Sequence, residues 1–86
     1  TAVNVTSAIT EINATSATHA CAMADGSDGQ IKMIINTSTS GTNNVVITPA
    51  NFSNTSITLN APGESVMCVF KNSKWYVIGG NGYAIA

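Results

Sequence analysis

Few side chains in this 86-residue chain could do chemistry, and they are scattered. The acids are Glu11, Asp25, Asp28 and Glu64, and His19 is the one imidazole. Cys21 and Cys68 are the thiols; Lys32, Lys71 and Lys74 are the amines. Nucleophilic catalysis needs a nucleophile beside a base that a third group orients. Residues two apart on a strand share a face, so His19 and Cys21 offer one such pairing. Neither an orienting acid nor an oxyanion donor accompanies them in the sequence. Three of the four acids stand in or beside turn clusters, where Asp and Glu are ordinary. No catalytic residue is expected, and the chain does not read as an enzyme.

Metal binding fares no better. Asp25-Gly26-Ser27-Asp28-Gly29-Gln30-Ile31 has the acidic start of a calcium loop, but lacks ligands at alternate positions and a closing glutamate. Neither cysteine belongs to a Cys-x-x-Cys pair, which leaves zinc unsupported. Each falls in an apolar stretch, where a free thiol packs as a small hydrophobe. A Cys21–Cys68 disulfide would close a long loop, yet two cysteines are not a disulfide framework. No metal and no cofactor is expected. Asn-x-Ser/Thr triplets begin at Asn4, Asn13, Asn36, Asn51 and Asn54, and matter only in a glycosylating compartment.

Composition narrows the class further. The length suits one small domain, 1–86, whose core is marginal without a staple or a partner. The apolar fraction of 44% is ordinary, but the charged fraction of 8% is far below the usual ~25%. Asn, Ser and Thr replace the missing charge and solvate a surface without repelling a neighbour. A net charge of −1 with three lysines argues against nucleic acid, which needs clustered cations. No apolar run approaches the ~20 residues of a membrane-spanning helix. Thr1-Ala2-Val3-Asn4 shows no basic or apolar leader pattern, which weakly favours an intracellular origin.

The elements that must carry these residues are short strands. The turn cluster Asp25–Gly29 releases into an alternating run in which Ile31, Met33 and Ile35 share a face. His19 to Met23 alternates as well, and the two runs are expected to pair as a hairpin. Val3 and Val5 suggest a strand, whereas Ile9-Thr10-Glu11-Ile12 suits a strand or one helical turn. Residues 37–43 read as a polar loop, 44–48 as a strand ended by Pro49, and Phe52 as an anchor for the loop after it. Ile57 and Leu59 mark a short strand, and Ala61-Pro62-Gly63-Glu64 a type II turn. Gly79–Gly82 reads as a flexible turn, and Tyr83–Ala86 as a terminal strand or a tail on a partner. No internal repeat of fixed period is visible.

The last third gives the sharpest inference. If Asn72-Ser73 is a two-residue turn, Phe70 lies opposite Trp75 and Cys68 opposite Val77 on one face. Val69 then faces Tyr76, and Met67 faces Ile78, on the other. Both faces are apolar, whereas an antiparallel sheet commonly leaves one in water. Another sheet of the chain or a neighbouring copy must cover the second face. The expected fold is all-β, antiparallel, sandwich- or barrel-like and self-associating. Ile31, Met33, Ile35, Phe70, Trp75 and Val77 are assigned to the core, and Met67, Val69, Tyr76 and Ile78 to an interface between subunits. The pattern also admits the reverse assignment of the two faces.

One order of residues is distinctive: Asp-Gly-Ser-Asp-Gly-Gln-Ile-Lys-Met-Ile-Ile-Asn, then Val-Val-Ile-Thr-Pro-Ala-Asn-Phe, then Ile-Thr-Leu-Asn-Ala-Pro-Gly-Glu-Ser-Val, then Ser-Lys-Trp-Tyr-Val-Ile-Gly-Gly-Asn-Gly. Over residues 20–82 it resembles small all-β domains of structural proteins in tailed phages and large DNA viruses, of the capsid-decoration, fibre or knob type. The resemblance implies a virion location, other virion proteins as partners and a homotrimer. It carries no active-site residues. The alternative from another class is a secreted, extracellular adhesin or carbohydrate-binding module taking a host-surface glycan on an exposed aromatic platform, for which Tyr76 and Tyr83 are the candidates.

Overall fold

The computed structural model describes residues 2–39 and 41–86, so Thr1 and Ser40, which fall in segments read above, lie outside it. Nine strands and no helix form among these residues: β1 (Ala2–Val3), β2 (Ile9–Ile12), β3 (Thr18–Met23), β4 (Ile31–Asn36), β5 (Asn44–Pro49), β6 (Ile57–Leu59), β7 (Ser65–Lys71), β8 (Lys74–Asn81) and β9 (Ala84–Ile85). They make two sheets, ordered β1-β3-β5-β6-β9 and β2-β4-β7-β8. One apolar cluster joins them, built from Val45, Ile47, Ile57 and Leu59 on one side and Ile34, Val66, Cys68 and Trp75 on the other.

The all-β class is as expected, but the antiparallel expectation is corrected. β1, β3 and β5 run parallel, and so do β2 and β4. The reason lies in the path of the chain, which lays β1 to β5 alternately in the two sheets. A strand that returns to its sheet after a passage through the other runs in its original direction. A parallel ladder needs a long crossover, and here the crossover is a strand of the opposite sheet. Ala2 pairs with Ala22, Ile9 with Met33 and Thr18 with Asn44. These steps are unequal, so the stacking leaves no fixed period in the sequence. Beyond β5 the chain folds back antiparallel and closes both sheets.

The expected hairpin between residues 19–23 and 30–36 is therefore overturned, since β3 and β4 lie in different sheets. The Asp25–Gly29 cluster is instead a corner between sheets, folded over Trp75. The Trp75 indole Nε1 donates to the Ala24 carbonyl at 2.9 Å. A Cβ on Gly26 would lie 2.8 Å from the Trp75 ring and 2.5 Å from Gln30 Oε1. Gly26 is there because nothing larger fits between the corner and the indole.

The β7–β8 hairpin forms as read. Asn72 and Ser73 have φ of 54° and 64°, the paired positive values of a type I′ turn. Phe70 pairs with Trp75, Val69 with Tyr76 and Cys68 with Val77. A bulge between Met67 and Cys68 then shifts the register, so Met67 meets Gly79 rather than Ile78. β8 also continues through Gly79, Gly80 and Asn81 of the Gly79–Gly82 stretch read as a flexible turn. Pro62-Gly63 makes its expected turn, with Gly63 at φ 89° and Glu64 N–H donating to Ala61 O at 3.2 Å.

The core assignment needs one substantial correction. Phe70 and Trp75 are buried, and Val77 is partly buried against the same cluster. Ile31, Met33 and Ile35 face the other way: Ile31 is exposed and the other two are half-buried. β4 buries Lys32, Ile34 and Asn36 instead. This inversion becomes possible because both polar groups find partners inside the fold.

Trp75 is fully buried, and its ring meets Phe70 edge-on at 5.2 Å. Trp75→Ala is expected to lower stability by about 3–5 kcal/mol in urea unfolding. An unchanged midpoint would contradict its placement. Gly26→Ala should cost about 1–3 kcal/mol by overpacking. Gly41→Ala, where a Cβ meets nothing within 4 Å, is the control expected to stay within about 0.5 kcal/mol.

Candidate functional site: an outward apolar sheet face

β4 is a central strand, so its two faces are set by what each can bury. Inward, the Lys32 stem lies in the core and its ammonium donates to Ser7 O at 2.8 Å, to Ser7 Oγ at 2.9 Å and to Thr10 Oγ1. Asn36, at the far end, donates from Nδ2 to Leu59 O at 3.0 Å. Its Oδ1 accepts from Ser38 N at 2.9 Å and from Ser38 Oγ at 2.5 Å. These bonds satisfy the inward polar groups, and Ile31, Met33 and Ile35 are left outside.

Register then assembles the outer face. Ile9 lies beside Met33 and Glu11 beside Ile35; across β7, Ile31 meets Val69 and Met33 meets Met67; Val69 meets Tyr76 on β8. Three members of the predicted interface, Met67, Val69 and Tyr76, are thus joined by the three β4 residues assigned to the core. Ile78 stands at the bulge on the adjoining edge. Ile9, Ile31 and Ile78 are 56%, 53% and 51% exposed, values unusual for isoleucine. The opposite sheet turns Ala20, Ala22, Thr48 and Thr58 outward, with only Val46 sizeable among them. One outer face of the molecule is small and polar; the other is a contiguous apolar patch of the kind that marks an interaction site.

The side chains considered for chemistry do not converge. No group of three His, Cys, Asp or Glu side chains among the described residues could hold a metal. Cys21 Sγ contacts the backbone carbonyl of His19, at 3.9 Å. Both thiols are buried and free. Asn36 is fully buried, which removes its triplet as a glycosylation acceptor in the folded chain. A shallow cleft of about 430 Å³ is lined by Val5, Thr6, Asp25, Gly26, Ser27 and Gln30. Its carboxylate is engaged by Asn51 Nδ2 at 2.9 Å. Of the two tyrosines, Tyr83 packs against the core, while Tyr76 belongs to the apolar face. Comparison with protein-family models, with curated proteins and with solved structures finds no match for this chain.

The inner groups give the protein an alkaline signature. Burial pushes the Cys68 thiol from 9.0 up to about 11 and also raises Cys21. The folded thiol keeps its proton where the unfolded one has lost it, so this stability is full below pH 9 and is lost as pH rises through 11. Burial lowers the Lys32 amine below 10.5, and the folded amine loses its proton first. Its contribution has the opposite sign and grows as pH rises toward 10.5. Cys68→Ala should therefore flatten the fall in stability between about pH 9 and 11, removing about 2–3 kcal/mol of it. Lys32→Met should steepen that fall, read from urea midpoints at each pH.

Proposed function

We propose that this chain is a structural module of a virus particle, of the capsid-decoration, fibre or knob type, that works by associating with copies of itself. A trimer is the assembly this reading favours, with other virion proteins as further neighbours. One observation carries the self-association. β4 buries a lysine while turning Ile31, Met33 and Ile35 outward, an arrangement that wastes apolar surface unless something covers it. Association removes that surface from water, at roughly 25 cal/mol per Å².

The virion assignment draws on the order of turns and strands over residues 20–82. A charged fraction of 8% supports it, because an Asn/Ser/Thr exterior lets copies crowd on a particle without like-charge repulsion. A glycan-binding module needs an exposed aromatic platform, and with Tyr83 against the core only Tyr76 remains of its two candidates.

Light scattering across a dilution series should give three times the chain mass, persisting on dilution. Ile31→Asp, which sets a charge on the covered face, should release folded monomers with an unchanged Trp75 fluorescence maximum. A wild-type protein that is monomeric at every concentration would overturn the reading.

A further inference from the structure

Resting on that self-association, the distribution of charge supplies its orientation. The charged side chains are nearly all accounted for within the chain. Lys71 pairs with Asp28 at 2.9 Å, Asp25 holds Asn51, Glu64 accepts from Asn60 N at 2.8 Å, and Lys32 is inside. Among the described residues, Glu11 and Lys74 have no ionic or hydrogen-bonded side-chain partner. Both belong to the apolar face: Glu11 shares it with Ile35, and Lys74 shares it with Lys71. They stand on its opposite rims, since β2 and β8 are the two edge strands of this sheet. The face therefore has a negative rim and a positive rim.

We infer that copies of this chain join head to tail, with Glu11 on the β2 rim of one copy against Lys74 on the β8 rim of the next. A contact joining like rims would set Glu11 against Glu11 or Lys74 against Lys74. A contact joining unlike rims either stacks two faces about a twofold axis parallel to the strands, or repeats in one rotational sense and forms a ring where the rotation closes. Size favours the ring over the pair. Four strands about 4.8 Å apart and a few residues long cover roughly 300 Å² in plan, well short of the ~800 Å² per partner of a stable two-body interface. In a ring each copy meets two neighbours, through the face and through both rims. The start of β8 is already bordered by Asn51–Ser53, whose Asn51 carbonyl accepts from Trp75 N–H at 2.9 Å. The rims therefore meet through side chains and not by adding a strand.

The test is charge reversal in the full chain: Glu11→Lys, Lys74→Glu and the double variant, with association constants measured by sedimentation equilibrium. Both residues are exposed, and circular dichroism checks that each variant is folded. At low salt each single reversal should weaken association about tenfold, and the double variant should recover to within about threefold of wild type. The effect should fade at about 0.5 M salt, where screening shortens to roughly 4 Å. If wild type assembles but stops at two chains, or the single reversals change nothing, or their losses add in the double variant, the orientation is wrong while self-association stands. If wild type does not assemble, the self-association fails, and this orientation with it.

Discussion

Once β4 is laid between β2 and β7, the Lys32 ammonium has to end somewhere, and it ends among the oxygens of Ser7 and Thr10. Burying a charge costs several kcal/mol even in a relaxed protein interior. Here no carboxylate offsets it; hydrogen bonds to the charged group do, at roughly 1.5–3 kcal/mol each. The bond to Ser7 ties the segment before β2 to the core, and the bond to Thr10 ties β2 itself. At the other end of the strand, Asn36 joins Leu59 to Ser38, and Ser38 Oγ accepts from Ala14 N–H at 2.9 Å. Two polar side chains on one face thus fix both ends of β4. The apolar face outside follows from them.

Around this strand the fold has two regimes. From β1 to β5 the chain winds between the sheets and stacks parallel; from β6 onward it closes them with antiparallel strands. The corner over Trp75 belongs to both, because a residue of the antiparallel part donates its indole N–H to the crossing between β3 and β4. Local turn chemistry and long-range stacking meet at that one side chain.

What could be read from the sequence follows the same division. The β7–β8 hairpin was legible because a two-residue turn fixes register within a dozen residues, and Asn72 and Ser73 tolerate positive φ. The pairing of β3 with β5 was not, because it depends on a passage through the other sheet that no local pattern encodes. The facing of β4 was misread for a physical reason. Hydropathy ranks Ile31, Met33 and Ile35 above Lys32, Ile34 and Asn36, but it does not see that Ser7, Thr10, Ser38 and Leu59 will satisfy the polar pair. The bulge at Met67 leaves no trace in the alternation. The candidate face was half legible: its β7 and β8 residues were found from the two-sided hairpin, and its β4 residues were placed on the wrong side.

The whole arrangement depends on Lys32 lying inside and Ile31, Met33 and Ile35 lying outside. Amine-selective modification of the native protein, followed by peptide mapping, tests it most directly. Lys71 and Lys74 should react quickly while Lys32 stays unmodified until the chain is unfolded. A native Lys32 that reacts as fast as the other two, at dilutions where any assembly has dissociated, would mean that β4 faces the other way.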